Sequence, residues 1–457
     1  MSSAVPAVAP LSADEALLRL SAAGRAPVLP VSMEVAGAVL TLQRGLRVLP
    51  GRRITAWADW AGRPVIAKLF FASPKALREA ESEASRLAEM ARRGIPAPAL
   101  LADGGSDRAG RILILEALPG ETALTLYRQA HGEGQGADFI VRLLSFVAEL
   151  HDHGCMQEDP HLGNFLIDGQ RIYLLDAGGV ALHERLSAAQ RCHNLALLLA
   201  QFYPLDTLDS TALLAAYGSA APSVAALEES LAQARVRRYR HAMDKLYRDC
   251  TEFARLRVAR MSGMAVRAAA ADLQALLEAG IDQAMAGGVM LKNGNSSTVC
   301  RVQWRGHDWV IKRYNIKNLW HLGKKQFKPS RARRSWRNAR WLDLVGVATP
   351  EAVGYVEHRR SGVLGTAYYV SDYTAGKPVD TLSEPELGRA REAVDALFSL
   401  MALLRFSHGD MKASNFLWQD GRLWVLDLDA MRLGLSPGQA EKWIQRDRTR
   451  WQCNWTG

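Results

Sequence analysis

The first clear pattern along the chain is a set of short, largely apolar runs separated by turn signals. VAGAVLTLQ, RRITAWADW and RPVIAKLFF read as strands. Ala61-Gly62 between the last two marks a tight turn, so the three runs read as an antiparallel meander. KALREAESEASRLAEMARRG switches to helical periodicity, with Gly94 just past its end. IPAPALLADGG leads out of it, GRILILEALPG reads as another strand, and FIVRLLSFVAELHDHG as an amphipathic helix. LSAAQRCHNLALLLAQF and the basic stretch ARVRRYRHAMDKLYRDCTEFARLRVARM are expected to continue as helices. The order then begins again. VMLKNGNSST, VCRVQWRG and HDWVIKRYN predict a second meander, residues 330–345 a helix ending at Gly346, and GTAYYVSDYTAG a further strand. ELGRAREAVDALFSLMALLRF and SPGQAEKWIQRDRTRWQ close the chain as helices.

The repeated order carries a repeated fragment. QEDPHLGNFLIDGQRIYLLDAGG starts at Gln157 and HGDMKASNFLWQDGRLWVLDLDA at His408. Asp159 to Asn164 is five positions, as is Asp410 to Asn415; Asn164 to Asp176 is twelve, as is Asn415 to Asp427. Identical spacing in two copies points to duplicated architecture. In each copy the residues after the Asn read as a β-hairpin, turning at Asp168-Gly169 and at Asp420-Gly421, which lays the Asn beside the later Asp.

A meander with a lysine on its third strand, a helix, more strands, a helix, then Asp-x4-Asn and a later Asp is the order of a protein-kinase-like fold. Phosphoryl transfer needs a lysine on the nucleotide phosphates, a carboxylate to orient it, an Asp to receive the acceptor proton, and oxygen ligands for magnesium. The first copy offers Lys68, Glu83, Asp159, Asn164 and Asp176; the second offers Lys312, Asp410, Asn415 and Asp427, with Ser335 where Glu83 stands in the first. Taken singly, the lysines also read as edge-strand gatekeepers and the Asp and Asn residues as turn or cap residues. No GxGxxG occurs, so cover for the phosphates is expected from the turns near Gly51 and at 293–297.

The 457 residues suit two or three domains, and 48% hydrophobic with 23% charged residues is the balance of a globular protein. No apolar run is long enough to span a membrane, and the N-terminus lacks the basic start and unbroken apolar core of a secretory signal. Five scattered cysteines fit a reducing compartment and neither a disulfide framework nor a zinc site. The net charge of +10 concentrates at 312–340, where eleven Lys or Arg occur with no Asp or Glu, together with Trp320, Trp336 and Trp341. That block reads as a solvated helix face, as a nucleic-acid surface, or as a surface for an anionic glycolipid or membrane, the last being favoured. Reversing Arg331, Arg333, Arg334 and Arg337 is then expected to leave the fold intact.

VIKRYNIKN, SRARRSWRNARWLDLVGVATP and HGDMKASNFLWQDGRLWVLDLDAMRL make the second half resemble the bacterial lipopolysaccharide kinase family, the core heptose and Kdo kinases. VIAKLF, EASRLAEMARRGIPAP, QEDPHLGNFLIDGQRIYLLDAGG and KLYRDCTEF extend the resemblance to the first half. It implies an α+β fold of two tandem protein-kinase-like modules, each a small antiparallel-sheet N-lobe and a helical C-lobe, the second C-lobe reduced. The expected division is an N-terminal extension over 1–30, partly disordered with a short helix from Ser12, a first module over 31–272 and a second over 280–457. The resemblance further implies ATP and Mg²⁺ as cofactors, Asp159 and Asp410 as catalytic residues, and Lys68, Glu83 and Lys312 at the nucleotide. Asn164, Asp176, Asn415 and Asp427 would hold the metal. The implied reaction is phosphorylation of a sugar hydroxyl of lipopolysaccharide core, or of another glycolipid, at the cytoplasmic face of the inner membrane. The alternatives are a small-molecule kinase of the aminoglycoside phosphotransferase type and a pseudokinase scaffold in envelope assembly. Gln157 replaces a His common in the family, Asp-Ala-Gly at 176–178 departs from Asp-Phe-Gly, and one of the two modules is a candidate for inactivity.

Overall fold

The computed structural model of the chain describes residues 9–218, 220–315, 329–360 and 363–455. Residues up to Phe202 with Asp206–Arg235 form one compact unit; Tyr203–Leu205 and residues from Val236 onward form another. Helix and antiparallel sheet are mixed in both, an α+β architecture.

The first unit starts with β1 (Leu11–Ser12), α1 (Ala13–Ala22), β2 (Val31–Val35), β3 (Ala38–Leu49), β4 (Arg53–Trp60) and β5 (Arg63–Phe71). Then come α2 (Pro74–Arg92), β6 (Leu100–Ser106) and β7 (Gly110–Glu116). The strands lie in the order β1-β2-β3-β4-β5-β7-β6. Ala61 and Gly62 both take positive φ in the two-residue loop between Trp60 and Arg63, as the turn chemistry requires. The short helix from Ser12 forms through a capping box, the Ser12 hydroxyl accepting from the Glu15 amide. It is part of the unit rather than an extension. Ala16, Leu17 and Leu20 share one face and pack into the core with Met33, Leu40, Leu42 and Ile54. Residues 1–8, the rest of the expected extension, lie outside the described residues.

Then come β8 (Glu121–Thr122), α3 (Ala123–Gly132), α4 (Gly136–Asp152), β9 (Cys155–Gln157), β10 (Phe165–Asp168), β11 (Arg171–Leu174), β12 (Val180–Leu182), α5 (Ala188–Leu199), α6 (Ser210–Tyr217) and α7 (Val224–Lys245), whose residues from Val236 belong to the second unit. The β10–β11 hairpin turns one residue later than the sequence suggests. Asp168 still pairs with Arg171, so the loop is Gly169-Gln170.

The second unit comprises β13 (Phe253–Val258), β14 (Met261–Val266), α8 (Ala270–Ala279), α9 (Ile281–Ala286), β15 (Val289–Gly294), β16 (Ser297–Trp304), β17 (His307–Tyr314), α10 (Arg331–Leu344), β18 (Ala352–Arg360) and β19 (Val363–Asp372). Below its sheet lie β20 (Lys377–Pro378), α11 (Glu386–Leu404), β21 (Phe416–Gln419), β22 (Arg422–Val425) and α12 (Pro437–Gln452). The sheet runs β13-β14-β18-β19-β17-β16-β15. Its stretch β18-β19-β17-β16-β15 repeats the order β6-β7-β5-β4-β3 of the first unit. Lys68 on β5 sits between Thr55 and Leu113, and Lys312 on β17 between Val299 and Tyr369. Both lysines are on interior strands, so neither guards a sheet edge.

Two expectations need correction. The first concerns the boundary: residues 253–266 were expected to belong to the first module, and those up to Met261 to be helical. They form the β13–β14 hairpin, which pairs with β18 in the second unit's sheet. In FARLRV, Ala254, Leu256 and Val258 alternate with Arg255 and Arg257, a period-two pattern hidden inside a basic run that otherwise reads as helix. Gly263 permits the pairing, because a Cβ there would meet the Tyr355 carbonyl oxygen at 1.8 Å. The stretch expected between the modules, 272–280, lies in α8 and its C-terminal cap; Leu273, Leu276 and Leu277 of α8 with Ile281 of α9 cover one sheet face with Ile311, Val356 and Val370.

The second correction concerns the basic block. Trp336, Ala339 and Leu342 of α10 cover the other sheet face with Tyr355 and Tyr369. Arg331, Arg333, Arg334, Arg337 and Arg340 are all only partly exposed. Arg331 pairs with Asp429, Arg333 stacks on Tyr247, and Arg340 lies over Trp336 and Phe253. A reversed charge there would break these contacts, so this half of the block is not a solvated face. Arg313 pairs with Asp282. Lys317, Trp320, Lys324, Lys325 and Lys328 lie outside the described residues.

Candidate active site

In the second unit a backbone bond closes the hairpin base, the Leu426 amide donating to the Asn415 carbonyl at 2.8 Å. Asp427 therefore follows directly beside Asn415, across the twelve-residue gap. The Asn415 side-chain amide donates to the Asp410 carbonyl oxygen at 2.9 Å and to its carboxylate at 3.2 Å. Lys412 stands 3.7 Å from the same carboxylate. Lys312 reaches down from β17 to Asp427 and lies 4.0 Å from Asp429.

Helix α10 contributes no carboxylate here. Ser335, at the position of Glu83, is buried and bonds the Tyr314 hydroxyl at 2.8 Å. The helix instead grips the loop after Asp427. Arg331 pairs with Asp429, and the Asn338 side-chain amide donates to the Leu428 carbonyl at 2.7 Å. Burial disfavours the charged form of Asp427, but the hydrogen bond with Asp429 and the Lys312 ammonium outweigh it and hold the carboxyl well below the usual range. Burial and the same shared bond push Asp429 up. Asp427 thus stays an anion, as a metal ligand must.

Lys312, Asn415 and Asp427 line one cavity of about 580 Å³. Leu291, Val299 and Val310 form its wall on the sheet side, and Leu417 and Leu426 its wall on the hairpin side. Polar edges come from Ser371, Asp372 and Thr374. The 293–297 turn does not line it; β15 contributes Leu291 and Lys292 instead.

The first unit brings its set together differently. The Leu175 amide donates to the Asn164 carbonyl at 2.8 Å, closing the same base. Asn164 donates to the Asp159 carbonyl at 3.0 Å, and Asp159 itself is exposed. Lys68 bonds Glu83, which is 1% exposed, and lies 3.8 Å from Asp176. Arg53 adds a second cation 3.7 Å from Glu83. Asp176 keeps a buried Oδ1 with no hydrogen-bond donor, which suits a cation. Gly51 sits in the β3–β4 turn with φ +65°. The backbones also differ: Asp427 is left-handed at φ 56°, whereas Asp176 has φ −107°.

Gln157 does the work of His408. Its amide nitrogen donates to the Asp176 carbonyl at 3.0 Å and its oxygen accepts from the Asp159 amide at 3.3 Å. His408 spans the Leu426 carbonyl, at 2.9 Å, and the Asp410 amide, at 3.3 Å. Each loop is then held from a later helix. Asn194 of α5 donates to the Gln157 carbonyl at 2.6 Å and is bonded in turn to His151 at 2.9 Å. Asp447 of α12 accepts the His408 amide at 2.9 Å and the Gly409 amide at 3.1 Å. Sequence reasoning missed Asp447. The signal was there, since Asp447 falls in the apolar stripe of Ala440, Ile444 and Trp451.

Asp447 gives a test of how the Asp410 loop is held. Burial pushes its carboxyl up, against the two amide donors. A group whose folded pKa is raised supports the fold most below its unfolded value, near pH 4, and that support is lost as pH rises through the folded value. Asp447→Asn keeps an acceptor for both amides and cannot ionise, so its urea midpoint should gain on wild type as pH rises above about 4. Asp447→Ala leaves two buried amides unpaired and should cost about 1–3 kcal/mol near pH 4, where the wild-type carboxyl is uncharged. A wild-type minus Asn difference that does not change with pH would contradict the assignment.

No curated protein matches the chain detectably. The sequence model of the lipopolysaccharide kinase (Kdo/WaaP) family matches residues 288–452, all within the second unit and spanning Lys312, Asp410, Asn415 and Asp427. Over those residues the chain is similar to the lipopolysaccharide kinase (Kdo/WaaP) family.

Proposed function

We propose that the chain is an ATP-dependent kinase that phosphorylates a sugar hydroxyl of lipopolysaccharide core, with the reaction in the second unit. The observation that carries this reading is the gathering of Lys312, Asn415 and Asp427 on one cavity, with Asp410 bonded to Asn415, inside the residues that match the family. The cavity falls within the roughly 300–1,000 Å³ of small-ligand sites. Its paired apolar walls suit a flat base, and its anionic Asp427 suits Mg²⁺.

Mg·ATP, when bound, supplies the phosphoryl group and the charge neutralisation. Lys312 would hold phosphate oxygens, and Asn415 and Asp427 the metal. Asp410 would take the proton of the acceptor hydroxyl on its carboxylate, with Lys412 3.7 Å from it. The first unit keeps the Lys68–Glu83 pair but lies outside the residues that match the family, so we assign Asp159, Asn164 and Asp176 an accessory nucleotide or metal site. Mg·ATP should raise the melting temperature of the full chain, and Asp427→Ala should remove transfer of the γ-phosphate to purified core oligosaccharide. Asp410→Asn should lower kcat by about 10²–10⁴-fold. Asp176→Ala should leave transfer in place. Loss of activity in Asp176→Ala but not in Asp427→Ala would move the reaction to the first unit. Transfer to aminoglycosides alone would favour a small-molecule kinase, and no response to ATP a scaffold.

A lipid-linked acceptor places the work at a membrane surface. Among the described residues, no helix is long and apolar enough to cross a bilayer. We propose peripheral attachment at the cytoplasmic face of the inner membrane through Lys317, Lys324, Lys325 and Lys328, with Trp320 at the interface. Reversing the four lysines should abolish sedimentation with anionic liposomes, and salt should weaken it in wild type. Sedimentation that ignores both changes would reject the attachment.

A further inference from the structure

The second unit has another built cavity, on the far side of α10. Arg331, Ser335 and Asn338 follow one helix face toward Tyr314 and the Asp427 loop. Arg333 and Arg337 project from the opposite face. There Arg333 lies 4.3 Å over the Tyr247 ring and lines a cavity of about 550 Å³ with Arg255, Arg257, Arg260 and Glu357. None of those residues lines the cavity at Lys312.

The composition of this cavity is selective. Arg255 and Arg257 project from one face of edge strand β13, two positions apart, and Arg260 follows in the β13–β14 turn. All three are exposed, and none of them is in an ion pair among the described residues. With Arg333 they set four guanidinium groups around one carboxylate. Such a concentration of like charge is unfavourable without an anion, and planar forks match phosphate oxygens. The carboxylate is the second, independent sign. The Glu357 side chain is 8% exposed, and its Oε2 is bonded to Arg359 at 3.1 Å. Its Oε1 is buried and has no hydrogen-bond partner. An orphaned buried acceptor calls for a donor from a ligand, and an anion beside it must carry that donor as a hydroxyl.

We propose that this groove binds a phosphorylated sugar, its phosphate on Arg255, Arg257, Arg260 and Arg333 and a ring hydroxyl donating to Glu357. The inference rests on the geometry of the second unit alone and does not depend on the activity proposed above. The sugar phosphate is either a free metabolite or the headgroup of a glycolipid, two sources with the same chemistry.

Titration calorimetry of the full chain with glucose 6-phosphate, inorganic phosphate and glucose tests it, beside sedimentation with neutral vesicles carrying or lacking a phosphorylated glycolipid. Glucose 6-phosphate should bind more tightly than either of its parts. The double variant Arg255→Ser/Arg257→Ser should weaken it about ten-fold or more, because two charge-assisted bonds are lost. Glu357→Gln should reduce the preference for glucose 6-phosphate over inorganic phosphate. The melting-temperature response to Mg·ATP should be the same in the double variant as in wild type, which separates this site from the cavity at Lys312. Binding of glycolipid vesicles without free sugar phosphate, lost in the double variant, would assign the groove to the lipid source. Binding unchanged in the double variant, binding abolished by Asp427→Ala instead, or no binding by any probe would overturn the proposal.

Discussion

A lysine on an interior strand of a sheet must find an opposite charge, because an ammonium buried without one is among the costliest groups a fold can hold. Lys312 has 13% of its side chain exposed, and the partner it finds, Asp427, is 115 positions later. That pairing ties the β-sheet to the hairpin beneath it. It puts an anionic oxygen and an Asn on one cavity, with Asp410 bonded to that Asn. The closing of the hairpin on Asn415, the grip of α10 on the following loop and the clamp of Asp447 on the loop before all serve to keep that meeting point fixed.

The same requirement is met another way in the first unit. There the helix under the sheet carries Glu83, and Lys68 is satisfied locally, fifteen positions away. The later Asp176 is left with an orphaned oxygen and an ordinary backbone conformation. Replacing a helix carboxylate by Ser335 therefore does more than delete a contact. It hands the lysine to Asp427 and hands the helix a new task, holding Asp429 through Arg331. Two units with the same strand order thus distribute their charges differently, which is the physical ground for assigning them different roles.

Much of this was legible in the sequence. The Asn-to-Asp spacing and the alternating residues between them gave the hairpin, and the lysines stood in strands whose neighbours were readable. What failed did so for identifiable reasons. The alternation in FARLRV was masked by arginines that also suit a helix, so a hairpin of the second sheet was assigned to the first module. Arginines at 331–340 read as a face open to an anionic surface because their partners, Asp429, Tyr247 and Phe253, are distant in sequence. Asp447 was visible as an acid in an apolar stripe, but its purpose depends on a loop some forty positions earlier. The cation of Lys312 was correctly placed while its partner was not, since a missing carboxylate does not name its replacement.

The central claim is that phosphate reaches lipopolysaccharide core through the site at Asp427. Mass spectrometry of core oligosaccharide from cells lacking the chain tests it most directly. The account predicts a core that has lost phosphate, restored by the wild-type chain and by Asp176→Ala but not by Asp427→Ala. A core with unchanged phosphate content would contradict it.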